Sequence, residues 1–306
     1  IRQLVDNLVA TAPSPYWVVG HFEGILIAKE LATRGNQVHL SIHDDPAQGL
    51  ARRSRRYWHL QPLLASHTFD ALRGAQTVDV VSEGMRQLYL DRYGIDSMVV
   101  HRWISDQSDL DVTSPRPPPM SSGCRIGHVG SVYAIDDIRM LAEAIVTVNN
   151  NHPGASLIMI APSQKVSRFL IKHFPQIATL VPPLPEPEVL SILKTCNITF
   201  AAYPFSERYT VFRQSSLPTK LSTYLQAGIP ILARTPADST LATFVTSTGT
   251  GTVVTERGAD TLSSAIHALM NDTIPLSQFI SARRQYFGDQ NPTRLAAAFV
   301  RPHGAS

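Results

Sequence analysis

A lysine lies where a predicted helix begins and where that helix leads directly into an apolar strand. Pro218 suits the first helical position, because the N–H group that proline lacks would have no partner there. Gly228 and Pro230 follow the last helical residue and are typical signals for the end of a helix. The pattern therefore predicts a helix over 218–227 with Lys220 in its first turn.

The start of this helix has the features of a phosphate site. N–H groups of the first turn have no partner within the helix, and a cation beside them is unfavourable unless an anion joins both. An ordinary capped helix with a solvated lysine is the alternative interpretation. The spacing places one set of residues towards a core, namely Leu221, Tyr224 and Leu225, and another towards solvent, namely Ser216, Lys220 and Thr223.

A glycine turn follows the predicted strand Arg125–Val129 and precedes a predicted helix. Gly130 allows the backbone to approach a phosphate closely, and the N–H groups after it could bind an anion. A structural glycine in a tight turn is the alternative. A nicotinamide dehydrogenase is disfavoured, because its G-x-G-x-x-G pattern is missing and the next strand ends in Ala161-Pro162 rather than in an acid.

The helix region resembles the nucleotide-sugar-binding stretch of the GT-B glycosyltransferases, in particular the retaining, family-four-like enzymes called glycosyl transferases group 1. This resemblance implies two Rossmann-like, doubly wound parallel-sheet domains that face a cleft, with the donor diphosphate at the helix start and at the Gly130 turn. The matching fingerprint P-x-K-L-x-x-Y-L-x-x-G-x-P-I is formed by Pro218, Lys220, Leu221, Tyr224, Leu225, Gly228, Pro230 and Ile231.

Four positions depart from the family pattern. Ser215 and Thr223 occupy the places of two glutamates that usually bind the ribose and the sugar. Ser131 occupies the place of an arginine in the glycine turn, and Ile135-Asp136 lie where a lysine is typical. The resemblance therefore implies that Lys220, with Arg208 and Arg213, neutralises the donor phosphates.

The loop over 203–213 is expected to frame the donor sugar, because it lies between a strand end and the Lys220 helix. Glu207 could accept hydrogen bonds from sugar hydroxyls, and Tyr209 or Phe212 could stack on a base or a sugar ring. The candidate donor-binding residues are thus Gly130, Ser131, Glu207, Arg208, Arg213, Ser216, Pro218, Lys220 and Thr223.

Candidate catalytic residues for an acceptor lie after the first two strands. His21 follows the strand over 16–19, and His43 with Asp44 follows the strand over 38–42. A histidine near its ordinary pKa can accept a hydroxyl proton or orient the hydroxyl. His21 also matches the acceptor-side histidine of the resembled family. A structural role for each residue is the alternative, since Asp45-Pro46 could simply cap the following helix.

Four arginines, Arg52, Arg53, Arg55 and Arg56, are followed by Tyr57 and Trp58. Basic residues beside aromatic ones suit an anionic membrane surface, a lipid-linked phosphate or an acidic glycan. A solvated helix face is the alternative, and nucleic acid is disfavoured by the net charge of −2 over residues 1–113. Asp109-Leu110-Asp111 is interpreted as a solvated loop rather than a metal site, so that no metal is expected.

Composition and element order predict a folded α/β protein. The chain has 306 residues, of which 43% are hydrophobic and 17% charged, and its net charge of +3 is concentrated after residue 113. Strands are predicted at 16–19, 38–42, 77–81, 98–101, 125–129, 156–160, 179–181, 198–202, 229–233 and 251–255. Helices are predicted at 24–33, 46–64, 83–93, 135–149, 163–173, 186–194, 218–227, 238–246, 260–270 and 276–287.

The expected organisation is an acceptor-side domain over 1–113, a Pro-rich linker over 114–123, and a nucleotide-sugar domain over 124–275. A C-terminal helix in 276–306 is expected to cross back to the first domain. The first domain is expected to be incomplete, because no counterpart of the resembled family's first strand and Gly-rich loop is present. Cys124 and Cys196 lack metal-binding spacing, which favours a reduced, cytoplasmic setting.

The functional hypothesis is a metal-independent glycosyltransferase that moves a sugar from a nucleotide-sugar co-substrate, without a further cofactor, to a hydroxyl acceptor. The acceptor could be a glycan, a small molecule or a lipid-linked group at the inner face of the membrane. A nucleotide-sugar epimerase of the same fold and a non-catalytic nucleotide-binding subunit are the alternatives.

Overall fold

The computed structural model describes residues 1–12, 14–47, 49, 55–105, 123–151 and 153–300. These residues form two compact units, each built around one sheet. The first unit contains Ile1–Trp103, Ser206–Leu217 and the chain from Asp289 on, and the second contains Ile104–Phe205 and Pro218–Gly288.

The first unit alternates strands and helices. Its strands are β1 (Tyr16–Val19), β2 (Val38–Ile42), β3 (Thr77–Val80) and β4 (Met98–Val99). Its first helices are α1 (Arg2–Thr11), α2 (Phe22–Thr33), α3 (Gln61–Gly74), which a 3-10 turn (Arg55–Leu60) precedes, and α4 (Glu83–Tyr93). Two helices from later in the chain belong to the same unit.

The second unit repeats the alternation on a larger scale. Its strands are β5 (Arg125–Val129), β6 (Ser156–Ile160), β7 (Ala178–Val181), β8 (Ile198–Ala202), β9 (Ile231–Arg234) and β10 (Gly251–Val254). The helices from here to the C-terminal end are α5 (Ile135–Asn151), α6 (Gln164–His173), α7 (Glu186–Leu193), α8 (Thr210–Ser215), α9 (Lys220–Ala227), α10 (Thr240–Thr248), α11 (Ala259–Asn271), α12 (Leu276–Phe287) and α13 (Gln290–Val300), of which α8 and α13 belong to the first unit.

Every described strand pair is parallel, so the expected α/β fold with two parallel sheets is confirmed. The first sheet has the order β1-β2-β3-β4, and the second has the order β10-β9-β8-β5-β6-β7. In the second sheet the chain proceeds outward from β5 to β7 and then resumes at β8 on the other side of β5. This reversal is the topological switch point where ligands of open α/β sheets bind.

The central strands form because their side chains are covered on both faces, whereas Trp17 and Val19 of β1 are exposed. All five residues of β2 and all four of β9 are buried, as expected for parallel strands between helices. The core of the second unit includes Ile126, Leu157, Ile198 and Phe200 from three neighbouring strands. Such burial favours continuous apolar strands and explains why the sequence pattern located them well.

Several elements differ from the sequence expectations. In the region of the helix expected over 46–64, Pro46, Ala47 and Gly49 are helical, as expected. From Arg55 on, the chain forms a 3-10 turn followed by α3, which has Pro62 at its start. Helices α8 and α13 were not predicted, since each is short and lacks strong end signals. The expected linker over 114–123 lies, except for Gly123, outside the described residues.

Candidate functional site

Gly130 marks the switch point of the second sheet. It follows β5 with φ of 74°, a left-handed conformation that glycine adopts without strain. Its N–H donates to the Ile160 carbonyl at 2.8 Å, which fixes the turn beside β6. A methyl group added at Gly130 would meet no atom within 4 Å, so open space lies against this backbone.

Helix α9 presents its first residue to the same strand end. The helix begins at Lys220, with Thr219 as its N-cap, rather than at Pro218 as the sequence predicts. The Pro218 carbonyl instead accepts from the Leu221 N–H at 3.1 Å in the turn before the helix. The helix ends, as expected, at Gly228, which has the left-handed conformation typical of a C-terminal cap.

The Lys220 ammonium lies against the glycine turn. Its Nζ donates to the Ser131 carbonyl at 2.8 Å and lies 3.2 Å from His128 Nε2. His128 Nδ1 lies 2.9 Å from the Phe200 carbonyl, which can only accept. Nδ1 therefore carries the imidazole proton, and Nε2 accepts from the lysine.

The charges of this pair follow from burial. Desolvation lowers the pKa of Lys220 to about 7. Desolvation, and then the nearby Lys220 ammonium, lower the pKa of His128 to about 3. The histidine is thus neutral near neutral pH. Lys220 is then divided about equally between ammonium and amine, and a bound anion would favour the ammonium.

Tyr224 holds the lysine helix to both strands at the switch point. Its hydroxyl donates to the Phe200 carbonyl at 2.9 Å and accepts from the Val129 N–H at 3.2 Å. The side chain is fully buried, and burial raises its pKa well above the ordinary value. Because Tyr224 lies one helical turn after Lys220, this bridge fixes the lysine beside Gly130.

We expect Tyr224→Phe to reduce the free energy of unfolding by about 1–3 kcal/mol, because the buried Val129 N–H loses its acceptor. Urea denaturation followed by circular dichroism measures this change. Tyr286→Phe is the control, since its hydroxyl makes a longer contact of 3.3 Å with Ser247 in an exposed position. Equal loss in both variants would contradict the bridging role.

Thr223 is buried, although the sequence pattern predicts it on the solvent side. Helix α9 packs against α7 on one side and α12 on another, and this covers most of its surface. The Thr223 hydroxyl lies 3.4 Å from an Oε1 atom of Glu186, the first residue of α7. The carboxylate of Glu186 therefore lies against α9, beside a residue that follows Lys220 by about one helical turn.

The first unit gathers a second group of candidate residues at the carboxyl edge of its sheet. His21 follows β1 and is the N-cap residue of α2, and exposed His43 follows the neighbouring β2. Half-buried Asp44 accepts from the Ser216 hydroxyl at 2.9 Å. The structure thus joins Asp44, an acceptor candidate, to Ser216, a donor candidate.

The segment over 206–217, expected to frame the donor, belongs to the first unit. Arg208 places its guanidinium 4.8 Å from the centre of the Tyr209 ring, and Arg213 approaches the Ser206 carbonyl at 3.5 Å. Tyr209 and Phe212 are buried, so their rings pack in the interior. Glu207 is exposed. Within the second unit, the donor candidates are therefore Gly130, Ser131, Pro218, Lys220 and Thr223.

Some sequence predictions fall on residues that are not described. Arg52, Arg53, the side chain of Arg55 and the Asp109–Asp111 pattern lie outside the described residues. Arg56 is described and exposed. In the described ranges no cluster of three or more His, Cys, Asp or Glu residues could hold a metal ion, and no helix has the length and apolarity needed to cross a bilayer.

Two groups at the site received no role in the sequence analysis. His128 is a polar residue within an apolar strand, two positions before the glycine turn, and that contrast was the available signal. Glu186 follows the run Pro182-Pro183-Leu184-Pro185, which signals only a helix start. Its contact with Thr223 spans 37 positions and has no local signature.

The two units with parallel sheets have the GT-B fold, which similar solved structures share. Similar solved structures include HepE from Anabaena in complex with UDP and glucose, with a TM-score of 0.68 and 13% identity over 98% of this chain and 82% of that chain. Trehalose-6-phosphate synthase OtsA gives 0.67 and 12%, over 98% of this chain and 76% of that chain. A TarM variant from S. aureus, in complex with fondaparinux, alpha-GlcNAc-glycerol and UDP, gives 0.61 and 11% over 87% of this chain.

These comparisons establish the fold. The similar structures are GT-B glycosyltransferases, but identities of 11–13% support a likeness of fold alone. No protein-family model and no curated protein sequence matches the chain. The chain spans 51% of that TarM chain and 57% of a second TarM structure.

Proposed function

We propose that the chain is a metal-independent glycosyltransferase that moves a sugar from a nucleotide-sugar donor to a hydroxyl acceptor. The contact between Lys220 and the Gly130 turn carries the proposal. It combines a desolvated cation, a close backbone approach and open space at a switch point. UDP is bound in the similar HepE and TarM structures, so UDP-sugars are the first donors to test.

The chemistry follows from where negative charge develops. Departure of the nucleoside diphosphate leaves charge on a phosphate oxygen, and a prepositioned ammonium in a partly dry site stabilises it. Lys220 can exchange its bond to the Ser131 carbonyl for a bond to that oxygen. Neutral His128 and Tyr224 keep the lysine in place without adding charge. The nucleotide-sugar is a co-substrate, and the proposal includes no further cofactor.

In this proposal the acceptor binds at the carboxyl edge of the first sheet. His21 or His43 orients or deprotonates the acceptor hydroxyl, and Asp44 accepts a hydrogen bond from it. The contact between Ser216 and Asp44 orients that carboxylate. Glu207, Arg208 and Arg213 lie on the segment that belongs to the first unit, and we propose that they bind the donor sugar.

Product analysis tests the proposal. The full chain is incubated with UDP-glucose, UDP-galactose and UDP-N-acetylglucosamine, with and without an acceptor mixture of sugars and glycolipids, in the presence of EDTA. Transfer predicts release of UDP that depends on the acceptor. A changed sugar on intact nucleotide without acceptor would identify an epimerase, and binding without any turnover would identify a non-catalytic subunit.

We expect Gly130→Ala to weaken binding of the donor diphosphate about tenfold, because the added methyl group occupies the space that the phosphate approaches. The left-handed conformation costs about 1–2 kcal/mol for alanine. Gly35→Ala is a matched control, since Gly35 has φ of 77° and equally open surroundings in the first unit. Calorimetric titration with UDP separates the two variants, and equal affinities would contradict the proposal.

The proposal extends to a cytoplasmic enzyme that contacts the inner face of the membrane through the first unit. Arg56, Tyr57 and Trp58 are consecutive and exposed, with 39% of Tyr57 and 49% of Trp58 accessible. Such a combination suits anionic lipid headgroups and a lipid-linked acceptor. Cosedimentation with vesicles that contain anionic or only neutral lipids tests this extension.

A further inference from the structure

One buried arginine joins the loops at the carboxyl edge of the second sheet. Arg234 is the last residue of β9, and 4% of it is exposed. Its Nη1 donates to Asp137 Oδ1, and its Nη2 donates to the Arg257 carbonyl at 3.0 Å. Its guanidinium carbon lies 4.6 Å from the centre of the Phe205 ring. Because these three partners follow β5, β10 and β8, the side chain connects the carboxyl ends of four neighbouring strands.

The carboxylate of this ion pair ends the segment that would meet the donor phosphates. Residues 130–137, here called the phosphate segment, run from the glycine turn into the first turn of α5. At the start of the segment, Gly130 is bonded to β6, and the Ser131 carbonyl accepts from Lys220 at 2.8 Å. The bond to Asp137 holds the other end. Both ends of the phosphate segment are therefore attached to the edge of the sheet.

The ion pair is a poor source of stability. Only 2% of Asp137 is exposed, and burial raises the pKa of its carboxyl to about 6 and lowers the pKa of the Arg234 guanidinium. Asp137 Oδ2 and Arg234 Nε have no hydrogen-bond partner among the described residues. The attraction between two such charges repays the cost of removing them from water only in part. Apolar side chains of similar volume would therefore stabilise the fold at least as well.

We infer that Arg234, through Asp137, holds the phosphate segment in the conformation that receives the donor diphosphate. Both are positioning residues, because they are buried and act through the backbone of this segment. A segment fixed before binding presents its N–H groups without a further loss of conformational entropy, which strengthens binding. The inference rests on the proposed function, since it requires a nucleoside diphosphate at Lys220 and Gly130.

Replacement of the ion pair by apolar side chains tests the inference. UDP, GDP, ADP and CDP are titrated calorimetrically into the full chain, and the tightest ligand is used. In the double variant Arg234→Met with Asp137→Val, we expect affinity to fall about tenfold, while the melting temperature without ligand stays the same or rises. Arg234→Lys keeps a charge opposite Asp137 but lacks the planar fork that also reaches the Arg257 carbonyl. It should weaken binding to a similar extent.

Two controls separate positioning from stability. Asp136 and Arg139 form an exposed ion pair of 3.1 Å near the start of α5, and Asp136→Asn with Arg139→Gln should leave affinity within about twofold. Val148→Ala removes fully buried methyl groups from the other end of α5, and should lower the melting temperature without changing affinity. All titrations are made well below the melting temperature of each variant, so that only folded protein is measured.

The outcomes separate the two proposals. If the tightest diphosphate requires Lys220 but keeps its affinity in the double variant, the inference about Arg234 is wrong and the proposed function stands. If the double variant does not fold, Arg234→Lys decides by the same criterion. An equal loss of affinity in Val148→Ala would also overturn the inference, because the effect would then follow stability. If none of the four diphosphates binds, both proposals fail.

Discussion

Lys220→Ala is expected to weaken binding of UDP about 100-fold, which corresponds to about 2.7 kcal/mol. The Lys220 ammonium is the charged donor that lies against the glycine turn, 2.8 Å from the Ser131 carbonyl. Its removal takes a charge-assisted hydrogen bond from the diphosphate. Turnover should fall at least as far, because the same ammonium stabilises the leaving group.

Two controls make this result specific. Lys165→Ala removes an exposed lysine from the first turn of α6, another helix of the second unit, and should leave UDP binding unchanged. Lys220→Arg should restore little affinity, because the guanidinium is larger than the ammonium fitted between Ser131 and His128. Unchanged melting temperatures would show that each variant folds. Full UDP affinity in Lys220→Ala would remove this residue from the site.

Binding of UDP is expected to weaken about tenfold per pH unit as pH rises above 7. Burial lowers the pKa of Lys220 to about 7, so the free protein loses the required ammonium above that pH. A bound anion favours the charged form and raises this pKa, which limits the decline at high pH. Titrations between pH 7 and 9.5 measure the slope, and the slope should disappear in Lys220→Ala.

The free energy of unfolding of the unliganded protein should increase as pH rises above 7, whereas UDP binding weakens. In the unfolded chain, lysine keeps its proton up to about pH 10.4, whereas Lys220 in the folded protein releases it near pH 7. Between these values the unfolded state binds more protons, so this group adds stability as pH rises. Asp137, whose pKa burial raises to about 6, titrates below this window.

For the binding prediction, a UDP affinity that does not change with pH would contradict the charge state assigned to Lys220.

The sequence was sufficient to predict the fold because strand patterns and helix patterns alternate along it. Five strands, at 16–19, 38–42, 125–129, 156–160 and 198–202, have the predicted bounds, since continuous apolar runs between turn residues define them. The end of α9 at Gly228 was equally clear, because only a left-handed residue fits there. Local chemistry determines these features, and a single sequence carries it.

The arrangement of the site depends on contacts that periodicity does not encode. The lysine helix was correctly located, but its start shifted from Pro218 to Lys220 because the preceding residues form a separate turn. The partner His128 lies 92 positions away from Lys220. Periodicity predicts which face of a helix is apolar and does not predict which neighbours cover the other face.

The segment over 206–217 shows a second limit of sequence reasoning. Its proximity to Lys220 in the chain suggested a role beside the donor phosphates. Helix α8 instead packs on α4, and Ser82 donates to the Ser215 carbonyl within the first unit. Ser216 is likewise joined to Asp44. The segment therefore belongs to the first unit, and its role beside the donor stays a prediction.

A crystal structure of the protein with UDP tests the central claim most directly. The account predicts a diphosphate oxygen within about 3 Å of Lys220 Nζ, and the backbone at Gly130 and Ser131 against the same group. The lysine should then have exchanged its bond to the Ser131 carbonyl for the phosphate. UDP bound elsewhere, with Lys220 still joined to Ser131 and His128, would contradict the account.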